Sequence, residues 1–249
     1  MVEVRHLNKS FQGNSVLHEV SFRVDDGESV AIIGRSGGGK SVLLKHLIAL
    51  LRPDSGEVWI DDQNLCRLNE RQLLKVRHKF GMLFQGAALF DSMTVAENIA
   101  FPLRRENKLT EAEIGKKVAE ALEVVELPNT MTKRPSELSG GMRKRVGLAR
   151  AIVYEPKIVL YDEPTTGLDP IVSDSIDKLM LRVRDHLHVT SIVVTHDMRS
   201  ARRLGQRILM LHDKSIYFTG TPEEVFSSTD PIVHSFVNGI STPKQVIDL

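Results

Sequence analysis

The segment Gly34-Arg35-Ser36-Gly37-Gly38-Gly39-Lys40-Ser41 sets glycines, a lysine and a serine between a short apolar run and a stretch of helical apolar periodicity. Its order fits G-x-x-x-x-G-K-[ST], a spacing that leaves the chain few folds to choose from. Glycines let successive backbone N–H groups turn toward one point, and a helix N-terminus behind them adds the positive end of its dipole. Such a loop cradles phosphates. On this reading Gly34, Arg35, Ser36, Gly37, Gly38 and Gly39 wrap the phosphates of ATP, Lys40 reaches the β- and γ-phosphates, and Ser41 holds Mg2+. A glycine-rich turn with an incidental lysine is the alternative, but it leaves the flanking strand and helix unexplained.

The rest of the chain alternates strand and helix. Val20, Phe22 and Val24 alternate with Ser21, Arg23 and Asp25, the period of a half-buried antiparallel strand, and Asp25-Asp26-Gly27 supplies a turn. Val42, Leu43, Leu44, Leu47, Ile48 and Leu51 predict a helix from Ser41 that ends before Pro53. Strands are expected over 57–60 and 80–84. From 94 to about 127 the pattern is helical, with Thr110 and the acids after it marking a helix start. Helices over about 140–154 and 171–187, each followed by a strand, then a helix after Asp197 and strands over 207–211 and 215–218 complete the pattern. Such alternation predicts an α/β fold with a mainly parallel sheet covered on both faces, interrupted by a helical insertion.

Formal net charge is +1 over 249 residues, so bulk electrostatics gives no reason to expect nucleic acid as a partner. The basic runs Arg143-Lys144-Arg145 and Arg202-Arg203 fall in helical patterns, where a solvated face explains them. Cys66 is the only cysteine, which excludes an intrachain disulfide and a cysteine metal cage. There is no secretory signal pattern and no uninterrupted apolar run of about 18 residues, so a membrane role is expected to come through a partner.

Two further constellations carry chemistry. Ile158-Val159-Leu160-Tyr161-Asp162-Glu163 delivers two acids to the carboxyl end of a buried strand. Asp162 there can hold Mg2+ through water, and Glu163 can polarise an attacking water as general base; taken alone, the pair also describes a solvated turn. Leu138-Ser139-Gly140-Gly141-Met142 opens a helix with a serine and two glycines, a second anion site. A plain serine N-cap is the alternative. One phosphate loop has no evident need for a second anion site in its own pocket, which makes sense if Ser139 faces the nucleotide of another subunit.

In this order, the motifs resemble the ATP-binding subunits of ABC transporters over nearly the whole length. The resemblance implies roles for residues that say little singly. Phe11 stacks on adenine, although alone it reads as core packing. Gln85 senses the γ-phosphate and the metal and lies next to the transmembrane partner. His196, alone a cap or a core histidine, contacts the γ-phosphate and orients Glu163. Ser139, Gly140 and Gly141 bind the γ-phosphate held by the opposing subunit, and Asp169 lies in the loop that couples the two sites. Lys40, Gln85, Glu163 and His196 are thus the expected catalytic set, with Ser41, Gln85 and Asp162 around Mg2+. A narrower resemblance, to the Mla-type (MlaF-like) ATPases of phospholipid transport systems, rests on Gly81-Met82-Leu83-Phe84-Gln85-Gly86-Ala87-Ala88-Leu89-Phe90, on Glu97-Asn98-Ile99-Ala100-Phe101-Pro102-Leu103 and on Met142 where most ABC ATPases have glutamine. Phe11 in place of tyrosine and Arg35 in the loop are departures that leave the ATPase reading intact.

The resemblance implies a P-loop NTPase of the ABC type: a RecA-like, mainly parallel core sheet, an N-terminal antiparallel β subdomain and a helical subdomain. It implies one ABC ATPase domain over 1–249, with core over 1–90 and 155–220, a helical subdomain over about 91–154 and a C-terminal extension over about 221–249. It further implies a head-to-tail homodimer sandwiching two ATP molecules, an integral-membrane permease, an MCE-domain protein in the wider complex, and a place on the cytoplasmic face of the bacterial inner membrane. Ala87 to Phe90 are expected to line a groove for a short helix of the permease, with buried core beneath the helical insertion as the alternative. Two short helices, each starting with proline after Thr221 or Asp230, present Phe226, Val233, Phe236 and Val237 on an apolar face; the sequence does not decide whether it packs on its own domain or reaches a neighbouring subunit, and a subunit contact is slightly favoured.

Overall fold

The computed structural model describes residues 1–240. The chain forms two compact units, one of Met1–Leu68 together with the described residues from Val193 on, the other of Asn69–Ile192. The first opens with β1 (Val2–Phe11) and β2 (Asn14–Val24), an antiparallel pair with Val2 opposite Val24 and Val4 opposite Phe22. Val20, Phe22 and Val24 are buried between exposed Ser21 and Arg23, the alternation expected from a strand with one wet face. β3 (Ser29–Gly34), buried throughout, leads into α1 (Lys40–Leu47). This helix ends earlier than its apolar stripe suggests. Ala49 takes φ +52° and the Leu50 amide returns to the Lys45 carbonyl at 2.9 Å, a left-handed C-terminal closure that leaves Leu50 exposed. β4 (Ser55–Ile60) then pairs antiparallel with β1, and the short β5 (Gln63–Asn64) with β4.

The second unit begins with α2 (Glu70–Arg77), unmarked by the apolar pattern but started by a capping box between Asn69 and Gln72. There follow β6 (Phe80–Leu83), α3 (Val95–Glu106), α4 (Glu111–Val124), α5 (Gly140–Ile152), β7 (Ile158–Asp162) and α6 (Pro170–Leu187). β6 and β7 run parallel, with Phe80 opposite Ile158 and Leu83 opposite Tyr161. The predicted helical insertion is two helices. Asn107 at φ +53° ends α3, and the Thr110–Glu113 capping box starts α4. α5 is the central element of the unit, packed on α3, α4, α6 and β6. Its Val146, Leu148 and Ile152 are buried, each worth about 2 kcal/mol in apolar area removed from water. Fully buried Asn98 accepts the Phe90 amide at 2.8 Å and lies within hydrogen-bond distance of the Phe90, Met93 and Thr94 carbonyls, which fixes the turn before α3.

The chain passes back to the first unit through β8 (Thr190–Thr195). There α7 (Met198–Leu204), β9 (Arg207–His212), β10 (Ser215–Gly220), α8 (Pro222–Phe226) and α9 (Pro231–Val237) follow, β9 lying parallel to β3 and antiparallel to β10. Thr221 and Asp230 cap the last two helices as expected. The apolar face of these helices packs within its own unit, the alternative to the slightly favoured contact with a neighbouring subunit. Val225 and Val233 join Ala31, Ile33, Ala201, Ile208 and Met210 in one core cluster, with Phe226, Ile232 and Phe236 packed against it. Residues 241–249 of the expected C-terminal extension lie outside the described residues. Among the described residues, no helix is long and apolar enough to cross a membrane. Val233→Ala should lower the unfolding free energy by about 2 kcal/mol in a urea titration and leave the mass in light scattering unchanged. A change of mass with unchanged stability would place the face at a subunit contact instead.

Candidate active site

In the first unit, β3 runs straight into the phosphate loop. Arg35, Ser36 and Gly37 are exposed, whereas Gly39 and Lys40 are buried. The Gly38 amide closes a turn on the Arg35 carbonyl at 3.0 Å, and Lys40 Nζ donates to the carbonyls of Gly34 and Arg35 at 2.8 and 3.0 Å. Lys40 thereby holds both ends of the loop together. Gly39 is the N-cap of α1 at φ +95°, a left-handed backbone that strains a side chain, and a Cβ there would lie a tight 3.0 Å from Leu17 Cδ2 and Val16 O. It offers no side chain to the helix start. Every other α-helix among the described residues has a side-chain cap. This one helix start therefore has no capping side chain in front of it, and the positive end of the helix dipole lies behind it.

Two lone aromatic residues of the same unit are exposed. Phe11, at the end of β1, is 41% exposed, with Lys9 Nζ 5.4 Å from its ring centroid, so it is not core. His196 follows β8 and is exposed, while the cap of α7 is Asp197, which accepts from Arg199 and Ser200. His196 is therefore neither core nor cap.

In the second unit, β7 carries Asp162 to its end, and both Asp162 and Glu163 are buried, against the solvated-turn alternative. Glu163 sits at φ +49°, and Thr166 Oγ1 donates to its carboxylate at 3.2 Å. Ser139 is exposed and caps α5, its Oγ accepting the Met142 amide at 3.3 Å. The plain N-cap alternative is thus realised, yet a hydroxyl that accepts still has its own proton to donate. Gly141 lies so close to α6 that a Cβ would meet Val172 Cγ1 at 2.6 Å. Asp169 caps α6 through the Ile171 and Val172 amides at 3.0 Å, and Ile171 beside it is 83% exposed.

Two residues of the basic run in α5 depart from the solvated-face reading. Lys144, expected on a solvated face, is buried, and its Nζ donates to the Gln85 carbonyl and, at 3.3 Å, to that of Glu163. Burial holds this ammonium below the ordinary lysine range, while Asp162 and Glu163 pull it back up. Arg145 is also committed, to Glu126, Val125 O and Ser175 Oγ. Arg143 in the same run, and Arg202 and Arg203, are exposed as expected.

The family model described as ABC transporter matches residues 17–166, which takes in the phosphate loop, Gln85, the Ser139 helix start and the Asp162–Glu163 pair. The chain belongs to the ABC transporter family. It is an ABC ATPase with the α/β P-loop NTPase fold, an ATP-binding and ATP-hydrolysing transporter subunit. It is 41% identical, over 96% of its length and 69% of the relative's, to the probable ribonucleotide transport ATP-binding protein mkl of Mycobacterium leprae. A chloroplastic protein of Arabidopsis thaliana, trigalactosyldiacylglycerol 3, is 39% identical over 96% of this chain and 74% of its own length. The methionine import ATP-binding protein MetN of Legionella pneumophila is 37% identical over 98% and 71%. The chain spans about two thirds of the length of the mkl relatives. Among solved structures, an ATP-binding cassette captured as a post-hydrolysis dimer with ADP and Pi has a TM-score of 0.82 and 33% identity, covering 89% of this chain and 99% of its own. The protein cbiO1 of Clostridium perfringens, part of the ABC transporter complex cbiONQ, has a TM-score of 0.84 at 29% identity, covering 100% of this chain and 98% of its own.

For this ABC ATPase, Gly39→Ala should strain the loop by about 1 to 2 kcal/mol and weaken ATP binding roughly tenfold. Titration with a fluorescent ATP analogue reads it, with circular dichroism to show an intact fold. Unchanged affinity would mean that the left-handed cap is dispensable.

Proposed function

We propose that the chain works as a head-to-tail pair, with each of two ATP molecules held by the phosphate loop of one copy and by Ser139, Gly140 and Gly141 of the other. The observation that carries this reading is the second phosphate-ready helix start. α5 begins with an exposed serine and two glycines in a chain whose α1 already meets the needs of one nucleotide. A solved relative captured as a dimer with ADP and Pi supports the pairing.

In the closed pair Phe11 stacks on adenine, the loop and Lys40 bind the phosphates, and Ser139 of the opposing copy adds donors to the γ-phosphate. Glu163 takes the proton of the attacking water, its carboxylate steadied by Thr166 and oriented by His196, and Asp169 links the two sites. The protein contributes positioning and charge stabilisation. Ser41, Gln85 and Asp162, the last through water, offer hydroxyl, amide and carboxylate oxygens, a hard-oxygen set that suits Mg2+. When bound, that ion neutralises charge on the β- and γ-phosphate oxygens.

Closure drives an integral-membrane permease, which holds the ATPase on the cytoplasmic face of the bacterial inner membrane. We place the permease contact at the segment after Gln85, where Phe90 and Phe101 are exposed with ring centroids 4.9 Å apart. The cargo is phospholipid, moved with an MCE-domain protein in the wider complex; the Mla-type segment from Gly81 to Leu103 supports this. A second reading, another cargo such as an amino acid, is favoured by the methionine import relative. Mass spectrometry of ligand co-purified with the permease complex should find phospholipid; an amino acid or nucleotide would replace that cargo. Glu163→Gln should retain ATP affinity, lose at least about 100-fold in turnover and accumulate an ATP-bound dimer in light scattering. Turnover at the wild-type rate would remove Glu163 as the base.

A further inference from the structure

α5 grips the Gln85 segment with one face. Lys144, Gly147 and Arg150 are spaced i, i+3 and i+6, and each meets that segment. Lys144 donates to the Gln85 carbonyl. Gly147 lies so close that a Cβ would fall 2.9 Å from Leu83 and 3.1 Å from Ala87. Arg150 donates through Nη2 to Ala87 O and through Nη1 to Ala88 O, both at 2.7 Å. Ala87 and Ala88 have φ +60° and +49°, a left-handed pair of residues with side chains that persists only where the surroundings fix it. Lys144 alone reaches a second segment, the Glu163 carbonyl at 3.3 Å. Glu163 too is left-handed, and its backbone sets where its carboxylate points.

A lysine ammonium is costly to bury, and here it is spent on two main-chain carbonyls rather than on a direct carboxylate pair. Replacing a buried charge with an apolar residue of similar size is often neutral or stabilising, so packing alone does not call for the ammonium. The ammonium adds a rigid tie between three places: the helix that starts at Ser139, the loop that holds Gln85, and the residue after β7. We propose that Lys144 is a positioning residue for hydrolysis, its ammonium making Glu163 and the Gln85 segment follow the helix whose start binds the opposing ATP. Engagement of Ser139 then shifts the Glu163 backbone directly. This rests on the reading of Glu163 as the base.

The test uses the full chain with ATP and Mg2+, comparing wild type, Lys144→Met, Lys144→Gln, Glu163→Gln and Lys144→Met combined with Glu163→Gln. Lys144→Met should keep its ATP dissociation constant within about twofold and lose about 10- to 100-fold in kcat. Lys144→Gln, which keeps a donor, should recover part of that loss. The double variant should be no slower than Glu163→Gln alone, since both changes act on one step. Wild-type kcat in Lys144→Met, or losses that add in the double variant, would overturn the proposal. So would a fall in kcat matched by falls in ATP affinity and Tm that Lys144→Gln does not relieve, the mark of a staple for the fold. Active Lys144→Met beside inactive Glu163→Gln defeats the proposal alone, whereas active Glu163→Gln defeats the base assignment and the proposal with it.

Discussion

The first-turn amides of a helix have no acceptor inside the helix, and something outside must supply one. Side chains do so at every described α-helix but α1, through Asn69, Thr94, Thr110, Ser139, Asp169, Asp197, Thr221 and Asp230. At α1 the cap is Gly39, which has nothing to offer. A phosphate suits such a helix start, and the rest of the first unit holds the loop in place. β3 is buried along its whole length, and Lys40 pins the first loop carbonyls. In the second unit α5 presents a start of intermediate character: it is capped, but by a hydroxyl that keeps a proton to donate.

Much of this was legible in the sequence because the signals are local. Glycine and lysine spacing marks the loop, period-2 alternation marks β2, and Thr110 with Glu113 marks the start of α4. Phe11 and His196 were ambiguous alone and gained meaning from motif order; their exposure agrees with a binding role rather than a packing one. What stayed hidden depends on distant neighbours. Nothing near Lys144 announces that the Gln85 and Glu163 carbonyls come to meet it, and a basic residue in a helix reads as solvated by default. The end of α1 was missed because alanine, not glycine, takes the left-handed closing position. The partner of the α8 and α9 apolar face could not be read from its residues, since the same stripe suits a sheet of its own unit or a neighbouring chain.

The cargo has a different status from the chemistry. The relatives share the ATPase, yet their names speak of ribonucleotide, methionine and a galactolipid. On the proposed reading, cargo acts on this subunit at second hand, through the proposed permease contact around Phe90 and Phe101. The phosphate machinery can therefore stay constant while the proposed permease-facing segment varies, and the lipid proposal draws on that segment for this reason.

The account stands or falls on sharing of ATP between copies. The decisive measurement mixes two full-length variants, Lys40→Ala and Ser139→Arg, each inactive in isolation, and assays ATP hydrolysis. A head-to-tail pair predicts that the mixture recovers activity, because a mixed dimer contains one composite site with an intact Lys40 from one copy and an intact Ser139 from the other. A mixture as inactive as its components would show that each copy builds its site from its own residues, and would contradict the account.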